Sequence, residues 1–137
     1  MKRSSLAVVC VLSSACSSGL EEHRALWAGN GPSSYQYTFG TTGFLPHFSL
    51  RVTVESRAVS STTVLSSGGF SGPFEGQTIE QLFEDIQQRL DSTCKTTASY
   101  DESLGYPLSV HSNCGEEGDG WIVTDFVPGT APDGGSG

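Results

Sequence analysis

The hydrophobic pattern of residues 78–90 predicts one strongly amphipathic helix. Its apolar positions are spaced as on one face of an α-helix. They are Ile79, Leu82, Phe83, Ile86 and Leu90. Thr78 is followed three residues later by Gln81, as in a capping box, and Asp85 can pair with Arg89 one turn further on. Such a stripe needs a partner surface, because leaving it in water would cost more free energy than a small domain's whole stability.

Segments on both sides of this helix alternate between apolar and polar residues, which predicts strands with one buried face. The predicted strands are residues 34–39, 47–55, 95–100, 106–112 and 121–127. Residues 59–65 are interpreted as a continuation of the second strand after a turn or bulge near Ser56 and Arg57. The last strand carries apolar residues on both faces and is therefore expected inside the sheet. This order predicts an α+β fold, with an antiparallel sheet of four to five strands and one main helix packed on one face.

The N-terminus has the pattern of an export signal. Basic residues at positions 2 and 3 precede an apolar stretch at 6–12, and small residues then lead to Cys16. Small residues before a cysteine resemble a bacterial lipobox, in which that cysteine becomes the lipidated N-terminus. Ser13 departs from that pattern, since leucine is usual at its position. The alternative is an ordinary secretory signal that happens to contain Cys16.

These features predict four segments and a location. The segments are a signal peptide at 1–15, a lipidated tether at 16–33, an α+β domain at 34–128 and a disordered tail at 129–137. The expected location is the bacterial cell envelope, with the domain outside the cytoplasm. Ser17 stands where an aspartate would resemble an inner-membrane retention signal, which favours the outer membrane.

The net charge limits the classes of partner. The chain carries a formal charge of −8, whereas phosphate recognition needs a basic face. We therefore expect no nucleic acid as a partner, and membrane contact only through the N-terminal lipid. No cofactor-binding motif is present, so no cofactor is expected.

Two cysteines would remain in the exported domain, Cys94 and Cys114. An even pair in an oxidising compartment predicts a disulfide. A metal pair or a reactive thiol is the alternative, but neither cysteine has a cysteine or histidine nearby at ligand spacing.

The densest group of oxygen ligands lies in loop 113–120. Asn113, Glu117 and Asp119 stand at alternating positions, as in calcium loops, although the glutamate that usually completes such loops is missing. A solvated acidic loop is the simpler interpretation, so these residues are only weak candidates for a metal site. No motif in the chain brings together a serine, a histidine and an aspartate for catalysis.

A series of short motifs resembles a family of small bacterial lipoproteins and secreted proteins of unknown function. The motifs are Trp27, Tyr35-Gln36-Tyr37, Thr78-Ile79-Glu80-Gln81-Leu82-Phe83 and Tyr100-Asp101 with Gly105-Tyr106-Pro107. The resemblance implies an envelope location and an α+β fold, and it implies no activity. Members often carry a cysteine near the end of the first strand, where this chain has Phe39-Gly40-Thr41, so the resemblance does not supply the pairing of Cys94 with Cys114.

Together these observations predict an envelope lipoprotein without enzymatic activity that contacts an unknown envelope protein or ligand. The candidate binding residues are Tyr35, Tyr37, Tyr100, Asp101 and Tyr106. The alternative is a small secreted hydrolase, or a calcium-dependent binding protein that uses loop 113–120. An enzyme should show a pocket with perturbed titratable groups, whereas an interaction module should show an exposed apolar patch.

Overall fold

The computed structural model describes residues 19–43, 47–69, 71–115 and 118–129. Two helices and six strands are present in this part of the chain. In chain order they are α1 (Leu20–Asn30), β1 (Tyr35–Gly43), β2 (Ser49–Glu55), β3 (Ala58–Ser66), α2 (Ile79–Leu90), β4 (Lys95–Tyr100), β5 (Pro107–Asn113) and β6 (Gly118–Pro128). The strands form one antiparallel sheet in the order β3-β2-β1-β6-β5-β4.

The prediction of four to five strands with one main helix is therefore wrong, because the described chain has six strands and two short helices. Residues 58–66 are a separate edge strand rather than a continuation of β2. Ser56 and Arg57 both adopt positive φ, at 52° and 68°, so the chain reverses in a tight hairpin of the kind that asparagine and glycine usually mark. The turn or bulge predicted near these two residues is therefore present, and it reverses the chain.

The predicted amphipathic helix is confirmed as α2. Thr78 and Gln81 form the capping box, and Arg89 Nε lies 2.8 Å from Asp85 Oδ2. Four of its five apolar residues are buried, and Leu90 packs at the margin of the core. The face of the sheet that packs against α2 is called the inner face, and the opposite one the open face. The inner face contributes Tyr35, Tyr37, Leu50, Val52, Val54, Val110, Trp121 and Val123 to the core.

Helix α1 belongs to the folded domain, although it lies within the stretch assigned to the tether. Leu20 and Trp27 are both buried, at 2% and 3% exposure. Trp27 contacts the rings of Tyr35, Tyr106 and Phe126 edge-on, so it is part of the core. The folded part therefore includes the helix Leu20–Asn30 and does not start at residue 34.

Both tryptophans are tied to α2 by their indole nitrogens. Trp27 Nε1 donates to Glu80 Oε2 at 3.0 Å, and Trp121 Nε1 donates to Asp85 Oδ2 at 2.8 Å. Hydrogen bonds to charged acceptors are stronger than neutral ones. Glu80 and Asp85 therefore connect α2 to α1 on one side and to strand β6 on the other.

The disulfide predicted between Cys94 and Cys114 is confirmed, and it joins the start of β4 to the chain just beyond β5. The hairpin between β4 and β5 closes in a turn that Asp101 and Gly105 shape. Asp101 Oδ2 accepts hydrogen bonds from the backbone N–H groups of Ser103 and Leu104, as in an Asx turn. Gly105 has φ of +92°, and a Cβ there would lie 2.5 Å from the carbonyl oxygen of His23.

Candidate functional site

An apolar cleft of about 460 Å³ opens on the inner face, beside α2. We call it the aromatic cleft, because Phe39, Phe48 and Phe74 line it together with Leu50 and the coil around Pro73. All three phenylalanines are half-buried. Mostly apolar concave sites of this size are the usual places where proteins hold small molecules or partner side chains.

The sheet and the coil each supply part of this cleft. Phe39 of β1 pairs with Leu50 of β2, so their side chains point to the same face. Phe48, just before β2, completes the sheet side, with its ring 6.3 Å from Phe39. Phe74 belongs to the coil and closes on Phe48 at 4.9 Å between ring centroids. The result is a row of rings that is open on one side.

The coil is held over the sheet by two polar contacts. Gly76 N donates to Thr62 Oγ1 at 3.0 Å, and the Tyr37 hydroxyl donates to the carbonyl oxygen of Gln77. Gly76 also has a steric role, since a Cβ at this position would lie 2.7 Å from Val52 Cγ1. Because Gly76 and Gln77 are anchored to the sheet, they hold the preceding Phe74 in place over it.

No group with a perturbed pKa lines the aromatic cleft among the described residues. Burial raises the pKa of Tyr35 and Tyr37 above its ordinary value, and raises that of Tyr100 to about 12. Burial would lower the pKa of Arg89, but its contacts with Asp85 and Asp119 raise it overall. All four groups lie elsewhere in the fold. The cleft is thus suited to apolar contact rather than to proton transfer.

Three of the five candidate binding residues lie in the core. Tyr35 and Tyr37 are 1% and 0% exposed, and their hydroxyls bond to the backbone of Ile79 and Gln77. Tyr100 is 6% exposed and stacks on His23 at 4.5 Å. Its hydroxyl has no hydrogen-bond partner in the described chain. Burial of these rings leaves them no exposed surface for a partner.

Asp101 and Tyr106 lie closer to the surface, at the hairpin that joins β4 to β5. Partial burial alone would raise the pKa of Asp101, but hydrogen bonds from Leu104 and Ser103 lower it overall. Tyr106 is half-buried and stacks on Phe126 at 4.1 Å. Burial, followed by the negative charge of Asp101, raises its pKa. Both residues therefore have roles within the domain, in the turn and in the ring cluster.

The other candidate residues do not form a site. Among the described residues, no three His, Cys, Asp or Glu side chains are grouped so as to hold a metal ion. Asn113 Oδ1 accepts from Gly115 N, while Asp119 pairs with Arg89. Glu117, the third candidate ligand, and Cys16, the lipidation candidate, lie outside the described residues. Nothing in the described part of the chain supports the hydrolase or calcium alternative.

Two further clefts are visible. One of about 370 Å³ lies between the helices, and its charged residues already pair with each other, Arg24 with Glu84 and Arg57 with Glu80. The other, of about 330 Å³, lies on the open face beside His111. In the described part of the chain, no helix is long and apolar enough to cross a membrane.

Sequence reasoning missed the aromatic cleft because its residues come from three separate segments. Phe39 and Phe48 were assigned to the apolar faces of their strands, and nothing in that pattern distinguishes an open position from a covered one. Phe74 was overlooked inside a Gly- and Ser-rich connection. A large aromatic residue in such a connection was the one available signal, since it must pack against something to avoid exposure.

A scan against family models supports the unknown-function assignment. The model for a family of unknown function, DUF6174, matches residues 19–117, which is more than half of the chain. No curated protein and no solved structure gave a match. The match covers both helices and all strands but β6. The chain therefore belongs to the DUF6174 family of unknown function.

Proposed function

We propose that this protein is a non-enzymatic binding module that holds an apolar group in the aromatic cleft. The observation that carries the proposal is the row of three half-buried phenylalanine rings around an open volume of about 460 Å³. Filling that volume with an apolar group would remove the rings from water, which is the main source of affinity in such sites. The occupant would be a small molecule or an apolar side chain of an envelope protein.

The chemistry of the lining favours binding over catalysis. Among the described residues, the cleft has one ionisable residue in its lining, Glu75, which is exposed. General acid–base catalysis needs titratable groups whose pKa values are shifted by burial or by a charged neighbour. In the described chain the shifted groups are tyrosines in or beside the core, Arg89 and Asp101, none of which lines the cleft.

The test is a fluorescence titration of the exported protein with Nile red, an uncharged dye whose emission increases in apolar surroundings. We expect saturable binding, and Phe74→Ala should weaken it by about fivefold or more, because the ring covers one side of the cleft. Leu65→Ala is the matched control, since it removes an aliphatic side chain that is 54% exposed at the sheet edge. Equal binding by Phe74→Ala and the native protein would refute the proposal, provided that both melt cooperatively.

We also propose that the domain is displayed on the bacterial cell envelope by a lipid on Cys16. The support is the sequence pattern around that cysteine, namely a basic start, an apolar stretch and small residues before it. A host that processes bacterial lipoproteins should incorporate labelled palmitate into the native protein and not into Cys16→Ser. Label on both proteins, or on neither, would contradict the lipid anchor. An ordinary secretory signal would give a soluble, unlabelled exported protein.

A further inference from the structure

The open face of the sheet carries mainly hydroxyl groups and little charge. Its exposed or half-exposed residues are Thr38, Thr42, Ser61, Thr63, Thr97, Ser99, Ser109 and Thr124, with Gln36, Arg51, Glu55, Lys95, His111, Ile122 and Val127. No helix of the described chain packs here, because the core and both helices lie on the inner face. Ile122 and Val127, on either side of Thr124 along β6, are 40% and 42% exposed.

Arg51 differs from the other arginines in the described chain because it lacks a carboxylate partner. The paired ones are Arg24 with Glu84 at 2.6 Å, Arg57 with Glu80 at 3.7 Å, and Arg89 with Asp85 at 2.8 Å and Asp119 at 3.2 Å. Within the described residues, no carboxylate oxygen lies within 4.0 Å of Arg51. In a chain of net charge −8, Arg51 is thus the one described arginine whose charge is not balanced by a carboxylate in contact with it.

Neutral groups hold the Arg51 guanidinium in place on the sheet. Its Nη1 donates to Thr38 Oγ1 at 2.9 Å and to the Asp125 carbonyl oxygen at 3.1 Å, and its Nη2 donates to Gln36 Oε1 at 3.1 Å. Gln36 is itself oriented by a hydrogen bond to Thr53 Oγ1 at 3.0 Å. These bonds use three of the five guanidinium N–H groups, so a cation with two remaining donors is already positioned.

The surroundings of Arg51 suit a carboxylate better than any other group. Its neighbours in register across the sheet are Thr63, Thr38 and, beyond Thr38, Thr124. These residues are uncharged and can donate hydroxyl hydrogens to an anion. A guanidinium fork matches a carboxylate geometrically. The surface is broad and half-exposed, so a single small anion would gain little there, since exposed ion pairs are weak.

We propose that the open face binds an acidic polypeptide segment, with the Arg51 guanidinium as the donor to one of its carboxylates. The threonine hydroxyls on either side supply further hydrogen bonds, and Ile122 and Val127 supply apolar contact. Charge complementarity favours this partner, because Arg51 lies at the centre of the open face with no carboxylate within 4.0 Å among the described residues. The exposed Glu55 of this face stands at the end of β2, four residues from Arg51, and the acidic residues of α2 lie on the other side of the sheet. The site is separate from the aromatic cleft, which opens on the inner face, so either proposal can fail without the other.

The test follows chemical shifts in NMR spectra of the full exported chain as blocked hexaglutamate is added. Hexaglutamine serves as the uncharged probe and inorganic phosphate as the small anion. Hexaglutamate should shift the Arg51 side-chain N–H signal saturably, hexaglutamine should not, and added salt should weaken the binding. Arg51→Gln should weaken hexaglutamate binding by about tenfold, because it removes the charge-assisted bonds. Arg51→Lys keeps the positive charge and loses the forked guanidinium, so its affinity for hexaglutamate should lie between those of the native protein and Arg51→Gln.

Arg57→Gln is the matched control, since it removes the same charge from an arginine that already pairs with Glu80. It should leave hexaglutamate binding within about twofold of the native protein. Equal losses of hexaglutamate affinity in Arg51→Gln and Arg57→Gln would show that the binding depends only on the overall charge, and would refute a site at Arg51. Phosphate binding at Arg51 without hexaglutamate binding would overturn the polypeptide partner. Thermal melts of each variant establish that it is folded.

Discussion

The hydroxyl oxygen of Tyr35 accepts a hydrogen bond from the backbone N–H of Ile79 at 2.8 Å. Ile79 is the first residue of α2, and the N–H groups of a first helical turn have no partner inside the helix. A core tyrosine of strand β1 therefore satisfies a donor that the capping box of Thr78 and Gln81 leaves over. This bond joins the sheet to the start of the helix that covers it.

Tyr35→Phe should lower the free energy of unfolding by about 1–3 kcal/mol, because it leaves the buried Ile79 N–H without an acceptor. Tyr100→Phe is the matched change, since the Tyr100 hydroxyl is buried without a partner in the described chain. Tyr100→Phe should leave the free energy of unfolding unchanged or raise it slightly. Urea unfolding of the two variants measures the difference, and a larger loss in Tyr100→Phe would contradict both assignments.

Stability should fall as the pH rises above about 10, the ordinary pKa of tyrosine. Burial raises the pKa of Tyr35, Tyr37 and Tyr100 in the folded state, to about 12 for Tyr100. Above the unfolded pKa the unfolded chain has lost protons that the folded chain retains, so unfolding becomes more favourable with rising pH. Below that pH these tyrosines are neutral in both states and contribute no pH dependence.

The slope should approach about 1.4 kcal/mol per pH unit for each tyrosine that ionises only on unfolding. Urea unfolding at several alkaline pH values measures the slope, and tyrosinate absorbance should rise together with unfolding. Recovery of stability on return to neutral pH excludes chemical damage as the cause. Tyrosinate absorbance that rose fully in the folded protein at about pH 10 would contradict the raised pKa values.

Cys94→Ser and Cys114→Ser should destabilise the domain equally, by about 3 kcal/mol, because each opens the same covalent loop. The cysteines are 20 residues apart and close the β4–β5 hairpin. The double variant should match either single variant in urea unfolding. A thiol assay on denatured native protein should find neither of these cysteines free, and two reactive thiols there would refute the bridge.

Phe83→Ala should cost about 3–5 kcal/mol, because the ring is 1% exposed and its removal leaves a cavity between α2 and its neighbours. Leu65→Ala, at an exposed position of β3, should change stability by no more than about 0.5 kcal/mol. Chemical denaturation compares the two. A loss below about 1 kcal/mol for Phe83→Ala would mean that this face of α2 does not pack as described.

The sheet shows where sequence patterns stop being informative. Period-two alternation located β1, β2, β4, β5 and β6 to within a few residues, because alternation reports which face of a strand is buried. It predicted a turn or bulge near Ser56 and Arg57 but not the reversal of the chain into β3, since that reversal depends on positive φ at both residues. Alternation also cannot show whether an apolar face is fully covered, and the aromatic cleft depends on that.

Local patterns in the sequence were sufficient for α2, its capping box and its pair of Asp85 with Arg89, because these features join residues within two turns of one helix. The number of cysteines in the exported domain was sufficient to predict the disulfide between Cys94 and Cys114. Only the tertiary structure decided that Tyr35 and Tyr37 are buried, that Trp27 joins the core and that no carboxylate of the described residues lies within 4.0 Å of Arg51. Each of those depends on residues brought together across the chain, and spacing within one segment does not contain that information.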